Sequence, residues 1–200
     1  MGLFDVLTGR RKLAKPAPDR LFAISTAYVT MQTSLSIESR GGAAIVFQSL
    51  ATADFRGIVR DMVQVVRATA GDSGTTVETT EDSYGFSWLV LKGESFDDLV
   101  VGINAVSTAI DDGGYGERLL CAVFAFADEN ARPPAPLYLI YNFKRGAFYP
   151  FVPGAGEPGT AGEAAGRDNE RELVLRAQLG SELPIETELS RWFALWGIPI

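Results

Sequence analysis

The stretch that decides the fold is Thr75-Thr76-Val77-Glu78-Thr79-Thr80-Glu81-Asp82-Ser83-Tyr84-Gly85-Phe86-Ser87-Trp88-Leu89-Val90-Leu91-Lys92. Two runs rich in β-branched and aromatic residues, Thr75 to Thr80 and Phe86 to Lys92, flank a polar turn that ends in Gly85. That spacing predicts a hairpin. A second hairpin is predicted where Leu137 to Phe143 and Ala147 to Phe151 meet across Lys144-Arg145-Gly146, and Arg118 to Ala127 reads as another strand. Strands that arrive in hairpins, instead of alternating singly with helices, make an antiparallel sheet.

The helices fill the intervals. Leu21, Ile24, Tyr28, Met31 and Leu35 follow helical spacing, although Thr26 to Thr33 also alternates as a strand would. Gly41-Gly42 is expected to break the chain before a short buried strand, Ala44-Ile45-Val46-Phe47. Residues 54–69 form the clearest helix, with Phe55, Ile58, Val59, Met62, Val63 and Val66 on one stripe. Ser95-Phe96-Asp97-Asp98 reads as a capping box before Leu99, Ile103, Val106 and Ile110. Asp168 is placed to cap a helix ending near Leu179. A last helix is expected over Pro184 to Trp196, with Trp192 and Trp196 laid across the sheet as a lid. The expected fold is a single α+β domain over 19–200, with a mostly antiparallel sheet and helices on one face. A tail and linker occupy 1–18, and a flexible loop rich in Gly, Pro and Ala occupies 153–167.

Composition removes several chemistries. The 200 residues hold no histidine and one cysteine, so Ser-His-Asp and Cys-His catalysis, His-ligated metals and an internal disulfide are excluded. A net charge of −7 argues against nucleic acid as a partner. The acid pairs Glu81-Asp82, Asp97-Asp98, Asp111-Asp112 and Asp128-Glu129 sit at turns and helix ends, where carboxylates cap amides. The glycine clusters lack a P-loop or dinucleotide-binding pattern. Cys121, among Leu119, Leu120, Val123 and Phe124, reads as a small core residue without a base to activate it. No catalytic, cofactor or metal residue is assigned, and the chain reads as non-enzymatic.

Two segments are candidate docking surfaces. Residues 1–20 carry five basic and two acidic groups, a net of +3, leaving −10 on the rest. Leu3, Phe4 and Leu7 followed by Arg10, Arg11 and Lys12 form a short amphipathic head suited to weak attachment at an anionic membrane or to a protein partner. The alternative is that the apolar residues pack on the body. The second candidate is a basic and aromatic face made by Lys144, Arg145, Phe148, Tyr149, Trp192 and Trp196, set against their burial under the expected lid. Without a membrane-spanning run or a signal peptide's pattern, the chain is expected in the cytoplasm, peripheral to the inner face of the membrane at most.

Several stretches together resemble one family: Met1-Gly2-Leu3-Phe4-Asp5-Val6-Leu7, Tyr84-Gly85-Phe86-Ser87-Trp88-Leu89-Val90, Lys144-Arg145-Gly146-Ala147-Phe148-Tyr149-Pro150-Phe151, Arg167-Asp168-Asn169, Leu183-Pro184-Ile185-Glu186 and Leu189-Ser190-Arg191-Trp192-Phe193-Ala194-Leu195-Trp196-Gly197. The chain resembles the PspA-associated PspAB family of actinobacteria and related bacteria. That resemblance implies a non-catalytic accessory or adaptor protein of a phage-shock envelope-stress system, encoded near PspA or the membrane protease HtpX. Its implied partner is a PspA-like or HtpX-like protein, with homodimerisation left open. Separately, the order of helices and hairpins is similar to that of secretion chaperones and YbjN-like domains. A chaperone holding an extended peptide is therefore the alternative function, and it requires Phe148, Tyr149 and Phe151 to line an open groove.

Overall fold

The computed structural model describes residues 18–70, 74–154 and 166–200. After a helical turn at Pro18–Leu21 come α1 (Ala23–Leu35), β1 (Ile37–Phe47) and α2 (Ala53–Ala70). The hairpin β2 (Thr76–Glu81) and β3 (Ser87–Lys92) follows, then α3 (Phe96–Ile110), β4 (Leu119–Asp128), β5 (Ala135–Asn142), β6 (Ala147–Phe151) and α4 (Asn169–Leu179). The strands form one six-stranded sheet in the order β2-β3-β1-β4-β5-β6, every neighbouring pair antiparallel. The α+β architecture read from the hairpins is therefore the one observed.

Local chemistry sets the boundaries. Ser95 Oγ accepts the Asp98 amide at 3.2 Å, and Asp168 Oδ1 accepts the Arg171 amide at 2.9 Å, so both predicted caps start their helices. Gly146, at φ +61°, closes the β5–β6 tip. The Gly41-Gly42 pair, expected to break the chain, instead lies inside β1 as a bulge, where the register to β4 shifts between Ser39 and Gly42. Gly41 takes φ +69° and its carbonyl accepts the Gly93 amide at 3.0 Å. A glycine in the left-handed region bends a strand without ending it.

Alternation along the strands sorts the core into two layers. One face carries Ile45, Phe47, Leu89, Leu91, Phe124, Phe126, Leu139, Tyr141 and Phe148, and packs against the helices. There α3 lies centrally, flanked by α1 and α2. The opposite face carries Ala44, Val46, Trp88, Val90, Cys121, Val123, Ile140, Tyr149 and Phe151. Its cover is the chain's last segment. The helix expected over Pro184 to Trp196 is absent: only Leu189–Arg191 forms a 3₁₀ turn, and apart from a bridge at Ile185 the rest is irregular. A chain not wound into a helix, which rises only about 1.5 Å per residue, can reach across several strands with sixteen or so residues. The segment begins at the β6 edge, where the Phe148 amide donates to Pro184 O and the Glu186 amide donates to Phe148 O, both at 2.8 Å. It finishes with Ile200 against Gly42 in β1.

Candidate functional site

A cluster of buried ionic and aromatic groups pins the covering segment. Glu172, 2% exposed, takes Arg167 in a two-pronged pair, Nε to Oε1 at 3.0 Å and Nη2 to Oε2 at 2.7 Å, and also accepts the Val152 amide at 2.9 Å. The third guanidinium nitrogen, Nη1, donates to Trp192 O at 2.6 Å, while the guanidinium stands over the Phe151 ring. Trp192 stacks on Tyr149 and its indole donates to Glu186 O at 3.0 Å. Glu186 in turn accepts Arg145 Nε at 2.9 Å and the Glu188 amide at 3.1 Å. Burial raises the Glu186 pKa, but the Glu188 amide, Arg145 and Arg191 together outweigh it and hold the carboxyl below its usual range.

Where this cover stops, a recess of about 490 Å³ opens on the same face. Val46, Trp88 and Cys121 floor it, Phe193 to Trp196 form one wall, and the β2–β3 turn forms the other. Asp82 builds that second wall. Its Oδ1 accepts the Tyr84 and Phe86 amides and its Oδ2 accepts the Trp88 indole, each at 2.9 Å. Burial works against the charge on Asp82, yet those donors, the Trp88 indole foremost, hold its pKa below the ordinary value. The rim is apolar and open to solvent: Tyr84 is 73% exposed and Phe193 60%. Cys121 is buried, which pushes its thiol up to about 12, so it sits in the floor as a neutral side chain. Burial likewise raises the Tyr149 phenol.

The recess brings together part of the face expected from sequence. Lys144, Tyr149 and Trp196 line it, with Trp192 stacked on Tyr149. Phe148 and Tyr149 are not available to a partner: Phe148 is 0% exposed on the helix side, and Tyr149 is 3% exposed on the other. Phe151 is also fully buried, so the open groove that a peptide-holding chaperone needs at these three residues is absent. Arg145 is committed to Glu186. Sequence reasoning missed Tyr84, Phe86, Trp88 and Phe193 as lining residues. The signal was the alternation of Phe86, Trp88 and Val90 along a strand, which reads as core until one knows that its far face lacks a helix. Leu3, Phe4, Leu7, Arg10, Arg11 and Lys12 lie outside the described residues. Among the described residues, no three His, Cys, Asp or Glu side chains gather as a metal site, and no helix is long and apolar enough to cross a membrane.

The sequence matches the model of the PspAB family, PspA associated protein B, over residues 1–200. The chain belongs to the PspAB family. Comparison with curated proteins and with solved structures gave no match, so the likeness to secretion chaperones and YbjN-like domains carries no further argument. The PspAB family description names association with PspA, and the recess is a largely apolar concavity.

Proposed function

We propose that this PspAB protein is a non-catalytic adaptor that binds PspA in an envelope-stress response, inserting an apolar anchor of its partner into the Tyr84–Phe193 recess. The observation that carries the reading is the pair of large aromatic side chains left exposed at the mouth of an apolar recess, in a family described by its association with PspA. A soluble surface holds few contiguous apolar patches without a partner for them, and Trp and Tyr anchors in pockets dominate protein interfaces. In this reading residues 1–15 hold the complex near the membrane through Leu3, Phe4 and Leu7 with Arg10, Arg11 and Lys12.

Co-expression of the full chain with PspA from the same genome tests it. A stable complex is expected, weakened at least about tenfold by Tyr84→Ala with Phe193→Ala, substitutions at exposed sites that leave the core intact. Absence of any complex overturns the PspA reading, and a complex indifferent to both substitutions removes the recess from it.

A further inference from the structure

A second concavity lies on the helix side of the sheet, at the same end as the β2–β3 turn. It is a trench of about 530 Å³ between α2 and the edge strand β2. The α2 wall presents Arg56, Arg60 and Arg67. At 100° per residue these three fall within about 40° of one another on the helix, a single stripe about 17 Å long. Val59 and Val63 follow it on the inner side, half-buried, and Phe47, Leu50 and Phe55 add apolar floor. The facing wall is hydroxylic: Ser49, Thr79, Thr80 and Ser87, with Glu81 as the one carboxylate that lines the trench.

The charge is the opposite of what the surroundings offer. Three arginines against one acid line the trench, on a body whose residues 21–200 sum to −10. Internal pairing does not neutralise them. Arg60 meets Asp61 at 3.5 Å with both side chains largely in water, a contact worth little, and Arg67 donates to Val77 O at 3.1 Å. Arg56 makes no salt bridge among the described residues. A compact anion would meet one or two guanidinium groups of a stripe this long. A chain bearing carboxylates at intervals meets all three, and alternating apolar residues reach the valine floor.

We infer that the α2–β2 trench receives an extended acidic segment of a protein partner, with carboxylates on Arg56, Arg60 and Arg67 and apolar side chains on Val59 and Val63. Guanidinium forks pair carboxylates two-pronged, which fixes the register of such a segment. About five extended residues span the stripe. The trench and the aromatic recess flank the two faces of one hairpin end, so a single partner clasping that end contacts both. The identity of the partner as PspA rests on the proposed function; the acidic chemistry does not.

The test uses the full chain and a fluorescein-labelled peptide of alternating glutamate and leucine, about six residues long, read by anisotropy. Saturable binding is expected, lost by at least about tenfold in the Arg56→Glu, Arg60→Glu double variant and weakened steeply between about 0.05 and 0.5 M salt. Both arginines are exposed, and circular dichroism of the variant verifies its fold. No binding, equal binding to the variant, or equal binding of a lysine–leucine peptide overturns the inference. The native chain titrated with PspA separates the two readings: peptide binding without any PspA binding sinks the partner assignment alone, and PspA binding without peptide binding sinks the trench alone.

Discussion

Two carboxylates in this protein hold geometry by staying charged. Asp82 gathers two amides and the Trp88 indole, and Glu186 gathers Arg145 and an amide. Both pKa values are lowered in the fold. A depressed carboxylate contributes stability that is complete above the unfolded value near 4 and is lost as pH falls through the folded one. Chemical denaturation across the acid range is therefore expected to show a steeper stability loss for the native chain than for Asp82→Asn. At neutral pH that substitution costs about 1–2 kcal/mol, since the bonds from the Tyr84 and Phe86 amides become neutral ones and the new amide nitrogen, a donor, cannot accept the Trp88 indole. The Arg167–Glu172 pair is a different case. Removing the acid by Glu172→Ala strands a guanidinium that is four-fifths buried and takes the acceptor from the Val152 amide. The expected loss is about 3 kcal/mol, at the lower end for a broken buried pair because Arg167 keeps some water; a urea melt measures it.

At the scale of elements, β1 is where sequence and structure part most usefully. It pairs with β3 through Gly42–Phe47 and with β4 through Ile37–Ser39 and Gly42–Phe47, and the bulge at Gly41 lets the pairing with β4 resume. A Cβ at Gly41 would stand 2.8 Å from Gly93 O, in a backbone conformation that side chains resist. Gly41→Ala is expected to destabilise the fold by about 1–3 kcal/mol in thermal unfolding. The hairpins, the two helix caps and the α2 stripe were legible because each depends on neighbours a few residues away. The bulge was not, since two glycines that end a strand and two that bend one look alike until the partner strands are known. The terminal segment misled for the same reason. Trp192 and Trp196 have helical spacing, but the force that shapes them is an uncovered sheet face, which no local pattern records. The recess was half legible: Tyr149, Trp196 and Lys144 were named, while Phe86 and Trp88 hid in a run that reads as core.

For the whole molecule, the two core layers are closed by unlike means, one by helices and the other by sixteen or so mostly irregular residues held at a few points. The second layer is consequently the vulnerable one. A chain ending at Arg191 loses Trp192, Trp196, Ile198 and Ile200 from that face together, leaving Trp88, Tyr149 and Phe151 bare. Loss of one buried tryptophan alone costs about 3–5 kcal/mol, a large part of a typical domain's stability. The truncated chain is expected to bind a hydrophobic dye and to melt without a cooperative transition, whereas removal of residues 1–15 is expected to leave the transition in place. The same arrangement has a consequence for how the protein is born. Translation delivers residues 185–200 after every strand they cover, so the nascent chain pairs its sheet while one side is still naked. In that interval Trp88, Tyr149 and Phe151 stand bare to water, and the arrival of residues 185–200 covers them.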